Sequence, residues 1–220
     1  MLRLKWILFS TVIILFVALG FGVVQKRTYT DISQDRGYLD KIYVAQIPQD
    51  YAVSATEIMM EKLPLSPNII KVVVLEDVEH FAKASRQMVK VQNVYKGDTL
   101  KANQEIYITC DRWSLSLYAE PYSIERGFVN VMEVGEEYLI FLDGQVDGFG
   151  EELPIFKLYA ETVIAPVFSY IAHDNKISSM GKESTYVLYN QVCDNEFFAA
   201  TSVAMDAFLE LKKVMIEKYP

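Results

Sequence analysis

Val134-Gly135-Glu136-Glu137-Tyr138-Leu139-Ile140-Phe141-Leu142 ends in five consecutive apolar residues. Successive side chains of a strand point to opposite faces, so a strand with one wet face alternates apolar and polar residues, and one that is apolar throughout is buried on both faces. Five residues are also too few for a membrane crossing. Tyr138–Leu142 therefore reads as the central strand of a sheet, ended by the turn-forming pair Asp143-Gly144.

Working outward, further strand signals surround it. Ile69–Leu75 is a β-branched run too short for a membrane and too apolar for a surface helix. Ser85–Tyr95 carries Val89, Val91 and Val94, and Lys96-Gly97-Asp98 turns the chain. Glu105–Cys110 alternates, with Ile106, Ile108 and Cys110 on one face and Tyr107 and Thr109 on the other. Ile155–Ala160, Thr162–Ile171 (interrupted by Pro166) and Thr185–Val192 are weaker candidates, and Asp111–Gly127 reads as irregular. Two helices complete the pattern. Ser54-Ala55-Thr56-Glu57 is a capping box opening a short helix that Pro64 stops. After Asp194 as N-cap, Phe197, Thr201, Ala204, Phe208, Leu211 and Met215 form an apolar stripe, and Lys212, Lys213 and Lys218 suit the helix C-terminus.

The fold class expected from this order is a β-rich α+β domain behind an N-terminal transmembrane helix. Val94-Tyr95-Lys96-Gly97, Gln104–Ile108 and Val134–Leu142, spaced in this way, resemble the netrin-like domain, the OB-type barrel shared with tissue inhibitors of metalloproteases. The resemblance covers roughly residues 72–142 and implies an OB-type barrel, here followed by the amphipathic helix. In such a barrel Gly97 permits a tight turn between strands and Gly135 lets the chain swing into the central one. It also implies an extracytoplasmic binding role. Inhibition of a metalloprotease does not come with it, because those inhibitors use an N-terminal cysteine, and the first cysteine here is Cys110.

Trp6–Val24 contains no charge, with Arg3 and Lys5 before it and Lys26 and Arg27 after. At 1.5 Å per residue it is about long enough for a ~30 Å hydrocarbon layer. Two readings stay open: an uncleaved anchor, or a cleaved signal with Ala18 and Gly20 near the cleavage site. The expected organisation is then residues 1–25 as anchor or signal, 26–67 as a juxtamembrane stalk with a short helix, and 68–220 as the barrel domain. The expected location is the cell membrane, single-pass, with the body extracytoplasmic. Without Arg3 and Lys5 the formal charge moves from −8 to −10, a balance that opposes nucleic acid and anionic lipid surfaces as main partners.

Cys110 and Cys193 are the two cysteines. In an exported domain they could form a disulfide; otherwise they are two buried thiols. His80 lies in an acidic cluster with Glu76, Asp77 and Glu79, which reads as a solvated edge. His173-Asp174 has no nucleophile elbow to serve. Asp143, Asp147, Glu151 and Glu152 share a glycine-rich loop whose spacing is not that of an EF-hand. No catalytic residue, metal or cofactor is therefore expected. Trp113, Tyr118 and Tyr122 form the candidate contact surface, because aromatic side chains outside regular structure commonly anchor partners. The reading that follows is a membrane-tethered extracytoplasmic binding or assembly module, touching the membrane through residues 6–24 and taking an unknown protein or cell-envelope ligand. The rival is a small extracytoplasmic hydrolase or transferase working through Cys110 and a histidine.

Overall fold

The computed structural model describes residues 2–28, 42–81, 84–110, 113–116, 123–147, 152–162, 164–178 and 186–220. It divides into two units, Met1–Arg36 and Gly37–Pro220. In the first, helix α1 spans Leu2–Thr28, 27 residues. Among the described residues no helix is long and apolar enough to cross a membrane. Within α1 the side chains of Trp6 and of residues 11–24 are exposed.

The second unit runs β1 (Tyr43–Ala45), α2 (Gln49–Lys62), β2 (Asn68–Val74), β3 (Glu79–Phe81), β4 (Ala84–Lys96), β5 (Glu105–Cys110), β6 (Trp113–Ser116), β7 (Ser123–Arg126), β8 (Glu137–Val146), β9 (Ile155–Leu158), β10 (Val167–Ser169), β11 (Tyr186–Leu188), α3 (Tyr189–Val192) and α4 (Ser202–Lys218). β2 pairs with β4 and β8, β4 with β5, and β5 with β9 in parallel; β9 then pairs back onto β8. The result is a closed five-stranded barrel in the order β2-β4-β5-β9-β8, consistent with an OB-like fold. Closure leaves these strands no open edge, the usual weakness of a small sheet.

β8 occupies the expected central position. Tyr138 is 4% exposed and Leu139–Leu142 are fully buried. Asp143-Gly144 does not end the strand, contrary to expectation. Leu142 opposes Leu158 and Gln145 opposes Phe156, so one extra residue is accommodated there as a bulge, and the strand bends on to Val146. The first half of β8 thereby serves β2 and β10 while the second half closes the barrel against β9. The turn after β4 packs on the same corner. Gly97 has φ +104°, and a Cβ on it would lie 2.3 Å from Asn68 Oδ1. Asn68 donates to the Asp143 carbonyl at 2.9 Å and accepts from the Thr99 hydroxyl at 3.0 Å.

Four other expectations change. The capping box lies inside a helix: α2 starts at Gln49 after Pro48, and Ser54 and Glu57 are exposed mid-helix residues. The proline, with φ −66° and an extended ψ, sets the N-terminus without a side-chain cap. Nor is this helix part of a stalk. Ile47, Ala52, Ala55, Met59 and Leu63 join the core cluster, so the compact unit takes in residues well before 68. In the tail, α4 begins at Ser202, not after Asp194, with the Thr201 hydroxyl accepting from the Ala204 amide at 3.2 Å. Residues before it are spent on bridges, Phe197 to Val129 and Ala199 to Ile47, which helical backbone could not make. Ala204, Phe208, Leu211 and Met215 are buried as the stripe requires. Finally, the stretch read as irregular contains β6 and β7, which pair antiparallel and join β1 and β11 in a four-stranded sheet ordered β11-β1-β7-β6.

Candidate functional site

β10 leaves the barrel at Ser169, and the chain from Tyr170 to Ser178 runs without regular structure alongside α4. Two observations explain how that path is held. Asparagines replace strand pairing: Asn175 Oδ1 accepts from the Glu196 and Phe197 amides at 2.8 and 3.2 Å, and the Asn195 side chain exchanges hydrogen bonds with the Lys176 amide and carbonyl. Asn130 adds a third clamp, donating to the carbonyls of Cys193 and Asn195. At the other end the Tyr170 hydroxyl donates to the Tyr219 carbonyl at 2.7 Å and meets the Tyr95 hydroxyl at 3.2 Å. Burial pushes the Tyr170 phenol well above its ordinary pKa, so it stays protonated as that donor.

Between this segment and α4 lies a groove of about 420 Å³, lined on one side by Ser169, Tyr170, Ala172 and His173, and on the other by Leu209, Lys212, Lys213, Ile216 and Glu217. The helix residues recur at intervals of three and four, a second stripe beside the buried one. Under the groove sits Glu196, 4% exposed. Its Oε1 accepts from the Ser169 amide at 2.7 Å and its Oε2 from Lys212 Nζ. The same ammonium donates to the Ile171 carbonyl at 2.7 Å. Burial raises the Glu196 carboxyl above the usual carboxylate range, and Lys212 and the Ser169 amide only partly oppose that. One carboxylate thus ties together β10, the bridge at Phe197 and α4. His173 stands between the groove and a second, enclosed space of about 10 Å³ that Glu196, Asn195, Asn130 and Tyr138 also line. Its Nδ1 lies 3.4 Å from the Asp194 carbonyl, while Nε2 is closed off from solvent without a hydrogen-bond partner among the described residues. Both Glu196 oxygens are engaged and Lys212 is held in an ion pair, so the arrangement offers donors and apolar surface along the groove.

The residues singled out from sequence are distributed differently. Trp113 opens β6, its backbone opposite Arg126. Tyr118 and Tyr122 lie outside the described residues. Cys110 ends β5 opposite Ser85. Cys193 follows α3, its Sγ 3.7 Å from the Asn190 carbonyl and from Asp194 Oδ1. The side chain of Cys110 lies outside the described set, and so does the question of its pairing with Cys193. His80 is in β3 opposite Ser85, and the neighbouring Glu79 carboxylate is paired with Arg86 at 2.7 Å. In the acidic stretch, Asp143 Oδ2 accepts from the Ala160 amide at 3.0 Å, a structural use of one of the four carboxylates. Glu196, Asn175 and Asn195 escaped the sequence reading, and Lys212 entered it only as a cation suited to the helix C-terminus. The signal available for them was a carboxylate set directly against Phe197-Phe198, and an apolar-cationic stripe on the flank of α4.

A closed barrel of OB-like order with a ligand-sized side groove is the class of protein that fold and site define. The sequence matches no protein-family model, and no curated protein is detectably similar to it.

Proposed function

We propose that this protein is a membrane-tethered extracytoplasmic binding module. The observation that carries the reading is the joining of the uncharged run Trp6–Val24, within the 27-residue helix α1, to a compact barrel unit bearing an open groove of about 420 Å³. At 1.5 Å per residue the uncharged run Trp6–Val24 is about long enough for a ~30 Å hydrocarbon layer. The groove has the size and mainly apolar lining typical of small-ligand sites. The barrel order fits the OB-type barrel that a netrin-like relationship would imply, and the acidic body fits a partner other than nucleic acid. Trp113, Tyr118 and Tyr122 are the proposed contact for a protein partner. The test is on intact cells expressing the full chain. It should stay with membranes through alkaline carbonate and lose its body to protease added outside. Release by carbonate overturns the tether; a body protected until the cells are lysed overturns the extracytoplasmic placement.

A further inference from the structure

We infer that the groove between α4 and residues 169–173 is a binding site for a small, uncharged, largely apolar molecule carrying one hydrogen-bond acceptor, which Lys212 receives. The inference rests on the reading of the chain as a binding module and names the ligand class for it.

The size comes from the groove itself, about 420 Å³, within the range that takes a drug-sized molecule. The apolar body is asked for by Tyr170, Ala172, Leu209 and Ile216. Leu209 is left 39% exposed along it, surface that a ligand of this kind would remove from water. The acceptor follows from counting protons on Lys212. An ammonium has three donors; one goes to Glu196 and one to the Ile171 carbonyl, both in the wall of the site. Among the described residues the third has no partner, and it is left for the groove that Lys212 lines.

Charge decides against an anion. Glu196 already balances Lys212, Lys213 has Glu210 at 3.9 Å, and Glu217 adds a carboxylate at the rim. A carboxylate or phosphate would find no uncompensated cation among these groups. A ketone, ester or amide carbonyl needs only the donor, and a charge-assisted hydrogen bond to it is stronger than a neutral one.

Benzophenone is an uncharged two-ring ketone of this description that also crosslinks on irradiation. The full-length protein in detergent is irradiated with increasing benzophenone, and labelled peptides are identified by mass spectrometry. Labelling of 205–218 should saturate, and diphenylmethane, the same shape without the carbonyl, should compete roughly tenfold less well than an unreactive ketone of similar size. Ala172→Trp, at an exposed position, fills the groove and should abolish the saturable labelling while leaving circular dichroism unchanged. Should that variant misfold, Leu209→Glu replaces it. The inference is overturned if labelling rises linearly with concentration, persists in the folded groove variant, or is several-fold greater with the anionic 4-benzoylbenzoate. Equal competition by diphenylmethane overturns the role of Lys212. Carbonate extraction and protease access, run on the same cells, report on the tether and do not depend on the groove, so the two failures are distinguishable.

Discussion

At the scale of single residues, the barrel corner and the groove floor each depend on one contact. Gly97 combines a left-handed φ of +104° with the Asn68 carboxamide where its Cβ would be, at 2.3 Å. Gly97→Ala must strain the backbone or displace an amide that holds Asp143 and Thr99, and should cost about 2–4 kcal/mol. Urea denaturation measures it. Adding Asn68→Ala should cost less than the two single changes summed, because the clash is already gone. Glu196 yields the pH dependence. Its folded pKa is raised above the ordinary 4.5, so the stability tied to its protonation is full below that value and is lost as pH rises through the folded pKa. Lys212→Met leaves the carboxylate buried and unpaired. Its cost should be about 3 kcal/mol at mildly alkaline pH and should shrink on acidification, as the carboxyl takes up a proton. A cost independent of pH would show that the ion pair is not what Lys212 contributes.

At the scale of elements, two helix starts differ in sign. Thr201 caps α4, so Thr201→Ala should cost about 1 kcal/mol. Ser54 is an exposed interior residue of α2, so Ser54→Ala should raise stability by a few tenths of a kcal/mol, whereas a capping role would make the same change destabilising. Melting curves of the two variants decide both. β8 was legible from composition alone, since Tyr138–Leu142 has no position that could face water. Leu139→Asp or Ile140→Asp should therefore cost several kcal/mol, comparable with the stability of a whole domain. The bulge at Asp143-Gly144 was not legible, because the same dipeptide ends strands and bends them, and only the pairing of Gln145 with Phe156 distinguishes the two. The groove stripe Leu209, Lys212, Lys213, Ile216 was likewise ambiguous, reading equally as a solvated helix flank.

At the scale of the whole molecule, the question is where the folded unit begins. Compactness places it at Gly37, and α2 supplies Ala55, Met59 and, just beyond its end, Leu63 to the core. Deletion of residues 1–36 should yield a cooperatively melting domain. Deletion through residue 67 should not, because it removes the helix packed on α4 and opens the core. A cooperative 68–220 fragment would return residues 37–67 to the status of a stalk. Local sequence determined on its own the barrel strands, the buried stripe of α4 and the uncharged run Trp6–Val24, since burial and hydrophobic periodicity act over a few residues. Tertiary structure alone decided the boundary, the start of α4 and the site. Bridges such as Phe197 to Val129, and the meeting of Glu196 with Ser169 and Lys212, join residues distant in sequence. Nothing in the chemistry of one segment records which other segment will satisfy it.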